Sequence, residues 1–262
     1  MLAVFAVVGA LLAAYLSPMV ELEEPEDDLA VVTPREEDRP AVYNVVNYLP
    51  PRLEKAPPAI LDAVVLGRDI IAETRQQLPD HAGNELTCQN CHFKAGVTNG
   101  GKNGGISLVG VAAKYPKQRD GQQHPVDLAT RINDCLERNL RGKPLPPDSR
   151  EVAALLAYLQ WISKDIPIYA EVPWLGLQSL ESIDNPDPQT GADIFQQQCF
   201  MCHGEDGHGT EIAPPLWGSQ SFTQASAMSR ITNLSSFVWN NMPRENPILT
   251  HEEAWHVAAY VT

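Results

Sequence analysis

Four of the five cysteines stand in two copies of one pattern, Cys88-Gln89-Asn90-Cys91-His92 and Cys199-Phe200-Met201-Cys202-His203. Two thiols three residues apart can each form a thioether to one vinyl group of a haem. The adjacent imidazole then sits under the iron as its proximal ligand. The same spacing also serves zinc sites and redox dithiols. Two copies, with Cys88 and Cys199 lying 111 positions apart behind an N-terminal segment suited to export, favour covalent attachment at both. Two c-type haems are therefore expected, held by Cys88, Cys91 and His92 and by Cys199, Cys202 and His203.

What each haem does depends on its sixth iron ligand, and methionine is the usual soft partner for electron transfer. The methionines are Met1, Met19, Met201, Met228 and Met242, so the first motif has none in its own neighbourhood. The second has two, because Met201 lies inside the attachment loop and cannot reach the far face. Met242 is preferred: it follows His203 by 39 residues in Asn240-Asn241-Met242-Pro243, where the proline can hold a loop with no N–H to satisfy. Met228 reads as core. For the first haem the candidates are Cys135, His81, His124 and several lysines. Cys135 stands in a predicted helical stretch from Arg131 to Lys143, ended by Gly142 and Pro144. Four apart on a helix, Arg131 and Cys135 share a face, as do Arg138 and Arg141 three apart. Nearby cations favour the thiolate, which is both metal ligand and nucleophile. A buried structural cysteine is the alternative; the missing methionine and the arginines favour a ligand.

Charge is distributed unevenly. The 262 residues carry 19 Lys+Arg against 33 Asp+Glu, a net charge of −14, which argues against a general nucleic-acid binder. From Thr87 to Leu145, however, nine basic residues face four acidic ones. A cationic pocket inside an acidic protein suits a small anionic substrate, and a basic face for an acidic partner suits the same count.

Elements must hold these groups in place, and the periodicity is helical. Ile60, Leu61, Val64, Val65, Ile70 and Ile71 make one apolar face of a leading helix closed by Pro79. A second helix runs from Ser149 to Trp161, with Val152, Leu155, Leu156, Leu159 and Ile162 inward. Gly191–Gln198 and Thr250–Val261 repeat this layout around the second motif, and Glu151-Val152 through Tyr158-Leu159 aligns with Glu253-Ala254 through Tyr260-Val261. The expectation is an all-α chain of two tandem domains, residues 59–165 and 191–262, joined by a proline-bearing linker over 166–190. Each has a small protein core that a haem would complete. Upstream, Leu2 to Val20 is free of charge for 19 residues, enough to cross a bilayer core, and Glu21 onward has no basic side chain until Arg35. Residues 1–20 are read as a membrane anchor, with a cleaved signal peptide as the competing reading. Residues 21–58, rich in proline and acid, are read as an extended tether.

The motifs together resemble the thiosulfate dehydrogenase family of dihaem cytochromes c, which couple two thiosulfates into tetrathionate. The likeness runs from Gly67-Arg68 and Thr74-Arg75 through Gly83-Asn84, Cys91-His92 with Ala95-Gly96, and Leu108-Val109-Gly110. It continues in Tyr115-Pro116 with Arg119, Arg131 to Arg138, and Gly142-Lys143 with Leu145-Pro146. In the second half it includes Pro214-Pro215-Leu216-Trp217-Gly218, Ser221-Phe222, Met228 with Arg230, Asn241-Met242-Pro243 and Ala254-Trp255. The resemblance implies two cytochrome c domains, His92/Cys135 ligation at the first haem and His203/Met242 at the second. It also implies Arg119 and Arg131 beside the substrate in a catalytic first domain, and the local cations add Lys143 as a candidate for holding a small sulfur oxyanion. Electrons would pass from the first haem to the second and on to an acceptor such as a small cytochrome c, on the periplasmic side of the inner membrane. Tetrathionate reduction is the reverse possibility, and a non-catalytic, membrane-anchored electron-transfer subunit is the rival. Three features depart from the family pattern: Asn139 where a small serine is expected, the Gly100–Gly105 loop, and the acidic tether.

Overall fold

The computed structural model describes residues 48–118, 123–244 and 246–262. The expected anchor at 2–20, the tether as far as residue 47, and Arg119 lie outside the described residues. Among the described residues no helix is long and apolar enough to cross a membrane. Regular structure among them is helical, with two isolated β-bridges, Ser107 to Leu175 and Lys117 to Val126.

The helices are α1 (Pro58–Ala72), α2 (Thr74–Gln77), α3 (Leu128–Arg138), α4 (Arg150–Ile162), α5 (Pro188–Gln198), α6 (Phe200–His203), α7 (Ile231–Asn241) and α8 (His251–Val261). Their starts follow local chemistry. Proline opens α1 and α5, where its missing N–H costs nothing. The side chains of Asp127, Ser149, Asp187 and Thr250 accept amide hydrogens in the first turns of α3, α4, α5 and α8. Thr250 and Glu253 form a reciprocal capping box. The leading helix breaks at Glu73, at φ −130° and ψ 47°, so Pro79 follows a second short turn instead of ending α1 itself.

Two crossings organise the molecule, and they repeat. α1 packs on α4 and α5 on α8. In the first crossing Gly67 meets α4 so closely that a Cβ there would lie 2.2 Å from the Ala154 carbonyl oxygen and 2.6 Å from Tyr158 Cβ. In the second, a Cβ on Gly191 would lie 2.0 Å from the His256 carbonyl oxygen and 2.9 Å from Tyr260 Cβ. Ala154 and Tyr158 are the residues that align with His256 and Tyr260 in the internal repeat, so the duplication in sequence is a duplication of one helix crossing. Glycine is the only residue that permits either approach.

The first core gathers Val64, Ile70, Ile71, Val152, Leu155, Tyr158, Leu159 and Ile162. Ile60, on the expected inner face, is instead 39% exposed in the first turn of α1. The second core gathers Leu234, Phe237, Val238, Trp255 and Val257, and Phe93 from beside the first motif joins it. The first part of the expected linker builds a core of its own. Ile166, Ala170, Val172 and Trp174 form a third cluster with Val109 and Ala113, and the Trp174 indole N–H donates to the Val109 carbonyl at 2.8 Å. Tyr48 stacks on Trp174 and donates its hydroxyl hydrogen to the Lys164 carbonyl at 2.6 Å.

Candidate haem sites and the sulfur beside the first

At the first motif, Cys88–Asn90 forms a 3₁₀ turn capped by Thr87, with Asn90 reaching back to the Thr87 amide. The Cys88 amide donates to the buried Thr74 hydroxyl at 3.0 Å, which ties the turn to the end of the leading helices. His92 Nδ1 bonds the Ile106 carbonyl at 2.8 Å. At the second motif, His203 Nδ1 bonds the Pro214 carbonyl at 2.8 Å. A carbonyl partner makes each Nδ1 the donor, which leaves Nε2 as a bare lone pair.

Burial holds both imidazoles below their ordinary range; the carbonyl bonds oppose this, and Arg131 adds to it at His92. Burial also pushes the Cys88 thiol up to about 11, with the Thr74 hydroxyl opposing and the Cys135 sulfur adding. It pushes Cys91 to about 12, with Cys135 and Cys88 adding, and Cys199 to about 11, with Cys202 adding. No disulfide joins any of these cysteines. Paired thiols, an oriented neutral imidazole and an apolar surround are the donor set that a covalently held haem requires, so the residues fit that group at both motifs. Among the described residues no cluster of three or more His, Cys, Asp or Glu side chains is arranged to hold a separate metal ion.

α3 brings the fifth cysteine to the first motif. Arg131 Nη1 lies 2.7 Å from Cys135 Sγ, one turn apart on the same face. The electrostatic influence of Cys135 on Cys88 and Cys91, and of Arg131 on His92, puts these five side chains in one neighbourhood. Lys143 is exposed, and its backbone exchanges bonds with His81: its amide donates to the His81 carbonyl at 3.1 Å, and its carbonyl faces His81 Nδ1 at 3.1 Å. His124 is exposed on the loop before α3. At the second site Met228 is 8% exposed within the core, whereas Met242 is half-buried at the end of α7, packed at the edge of that core.

Sequence reasoning missed the residues that join the halves. The Arg141 guanidinium donates to the carbonyls of Ser221 at 2.8 Å, Gly218 at 3.3 Å and Phe222 at 3.4 Å. The Asn84 amide group bridges the Asn139 and Ser221 carbonyls, each at 2.9 Å. Asn139 therefore has a partner: its Oδ1 accepts the Ser226 hydroxyl hydrogen at 2.6 Å. The glycine-rich loop also joins the halves. The Gly105 amide donates to Asn241 Oδ1 at 2.8 Å, and Lys102 Nζ sits 4.5 Å from the centre of the Trp239 ring. These partners are far apart in sequence and mostly backbone atoms, so no spacing signals them.

The fold and the two sites define a dihaem c-type cytochrome. Residues 79–168 match the family model described as SoxA/TsdA, cytochrome c domain, and residues 186–261 match that of cytochrome C oxidase, cbb3-type, subunit III. The thiosulfate dehydrogenase of Allochromatium vinosum is 35% identical over 210 residues, covering 78% of each chain. That of Stutzerimonas stutzeri is 33% identical over 229 residues, 82% of this chain and 72% of the relative. The solved structure of thiosulfate dehydrogenase (TsdBA) from Marichromatium purpuratum superposes with a TM-score of 0.74 at 26% identity, over 82% of this chain. This chain spans about half of that longer one, 48%. The chain belongs to the thiosulfate dehydrogenase family, and it carries two covalently bound c-type haems in two cytochrome c domains.

Proposed function

We propose that this protein is a thiosulfate-oxidising enzyme that joins two thiosulfates into one tetrathionate and releases two electrons. The observation that carries this reading is the Arg131 guanidinium 2.7 Å from the Cys135 sulfur, beside the first attachment motif. His92 and Cys135 would ligate the first haem, and His203 and Met242 the second. When bound, these haems supply one-electron acceptors in series.

The chain's own residues would do the rest. Arg131, with Arg119 and Lys143, would hold the dianion by charge-assisted hydrogen bonds and offset the repulsion between two dianions. The Cys135 thiolate would form a sulfur–sulfur bond with the terminal sulfur of the first thiosulfate, an oxidation whose two electrons would be delivered singly to the external one-electron acceptor. The terminal sulfur of the second thiosulfate then attacks the thiosulfate-derived sulfur bonded to Cys135 Sγ, with Sγ as the leaving group. Tetrathionate departs and Cys135 regains its thiolate. The first domain is thus the catalytic unit and the second an electron relay, a division supported by the likeness of residues 186–261 to an oxidase subunit. Purified holoprotein given thiosulfate and ferricyanide is expected to reduce two ferricyanides per tetrathionate formed. Ferricyanide reduction without tetrathionate would sink the assignment.

Residues 2–20 would anchor the protein on the periplasmic side of the inner membrane, a reading supported by their 19 uncharged positions. Fractionation checks it: the full chain should stay with membranes through a high-salt wash, and deletion of 2–20 behind a cleavable leader should free it.

A further inference from the structure

Two large apolar side chains at the second attachment motif stand in solvent: Met201 and Ile212, each 76% exposed. They belong to one surface. The Thr210 hydroxyl donates to the Cys202 carbonyl at 2.5 Å and accepts the Ile212 amide hydrogen at 3.1 Å, while the Gly209 amide donates to the His203 carbonyl at 2.8 Å. These bonds stitch the segment bearing Ile212 onto the turn that bears Met201. The first motif is the opposite case: Phe93, next to His92, is 4% exposed and meets Phe237 of α7 edge-on. The second domain packs on the residue that follows the first motif, and that motif is half-buried throughout, whereas Met201 and Cys202 of the second motif are exposed.

The charges carried by the segment that bears the open motif have one sign, and the cation brought toward it from the first domain, Arg141, is bonded to the carbonyls of Ser221, Gly218 and Phe222. Glu205, Asp206 and Glu211 are all exposed, and no Lys or Arg occurs from Asp165 to Ser229. Asp206 faces the His208 ring, Oδ2 to Nδ1 at 3.2 Å, which leaves Glu205 and Glu211 as the carboxylates of the rim with no such neighbour on this segment. An apolar centre within a rim of like charge suits a short-lived protein contact: the charges steer the encounter and the apolar atoms exclude water at the crossing point.

We propose that Met201 and Ile212, rimmed by Glu205, Asp206 and Glu211, form the docking surface for a basic one-electron acceptor protein, a small metalloprotein with a lysine-rich face. The inference names the partner chemistry of the electron-relay site proposed above and rests on that reading for the source of its electrons.

The test starts from holoprotein reduced with dithionite, freed of excess reductant and mixed by stopped flow with two probes, a lysine-rich single-haem cytochrome c and an acidic one. The rate constant with the basic probe is expected to fall about tenfold or more between low and physiological salt. Glu211→Lys should slow it about fivefold at low salt, and Glu205→Lys gives the same reading if the first variant matures poorly. Ile212→Ser should slow transfer without changing the salt slope. Asp62→Lys, the same change of net charge on α1 of the first domain, should leave the rate alone. A rate with the basic probe that ignores salt, a faster rate with the acidic probe, or equal losses for Asp62→Lys and Glu211→Lys would overturn the proposal. Haem reduction by thiosulfate is measured separately: if thiosulfate leaves the haems oxidised while the salt and variant pattern holds, the substrate reading fails and the docking surface stands.

Discussion

In the proposed function, a thiol and a guanidinium one helical turn apart are the chemical centre of this molecule. Arg131 and Cys135 meet because helix spacing puts positions four apart on one face, and Asp127 caps the helix that carries them. Arg131→Gln is expected to lower kcat/KM for thiosulfate by about 10–100-fold with haem content unchanged, as measured by steady-state kinetics beside a haem stain. Arg131→Lys should recover only part of the loss, because an ammonium cannot copy the planar fork of donors. Both attachment motifs were legible, as was the shared helix face of Arg131 and Cys135, since these lie in local spacing. Thr74, which takes the Cys88 amide, and Tyr158, whose hydroxyl donates to the Ala95 carbonyl at 2.9 Å, were not. They serve backbone atoms that only folding brings near.

At the level of elements, the twin glycine crossings make a sharp demand. Gly67→Ala puts a methyl group 2.2 Å from a carbonyl oxygen, and Gly191→Ala puts one 2.0 Å from another. Each should cost at least about 2 kcal/mol by urea unfolding, in the range of core overpacking. Asp187 gives a pH-dependent counterpart. Its carboxylate is held below the usual range, first by the Thr190 hydroxyl and then by the amides of Thr190 and Gln189. A depressed folded value means the unfolded chain binds the proton more readily. The stabilisation is therefore full above about pH 4 and fades as pH falls through the folded value. Asp187→Ala should melt lower than wild type at neutral pH, and the gap should close on acidification. The capped helices were legible in sequence, but α7 was not. Ser235, Ser236, Asn240 and Asn241 are buried on it, with Ser236, Asn240 and Asn241 bonding carbonyls one turn back. Polar residues that donate to carbonyls of their own helix erase the apolar period by which a buried helix is read.

Over the whole molecule, the interface between domains turns two haem units into one device. Arg141, Asn84 and Asn139 fasten the segment from Gly218 to Ser226, and the glycine-rich loop fastens α7. Arg141→Ala is expected to cost about 1–3 kcal/mol and to separate the unfolding of the domains, which the wild type should show as one transition. Denaturant titration followed at both haem bands would check this, and coincident curves for the variant would count against the clamp. Two tandem units were legible from the duplicated motif and helix. Their mutual fastening was not, because Asn139 and the Gly100–Gly105 loop read as departures from a pattern until their partners in the second domain are seen. The expected linker likewise looked idle because its prolines hide the small core it builds around Trp174.

The most direct test of the central claim is to mix oxidised, anaerobic holoprotein with thiosulfate and follow the haem absorbance, with Cys135→Gly alongside. Reduction of the haems with tetrathionate appearing in the wild type, and neither in a Cys135→Gly protein that dithionite still reduces, is the expected result. Tetrathionate formed by the variant at the wild-type rate would contradict it.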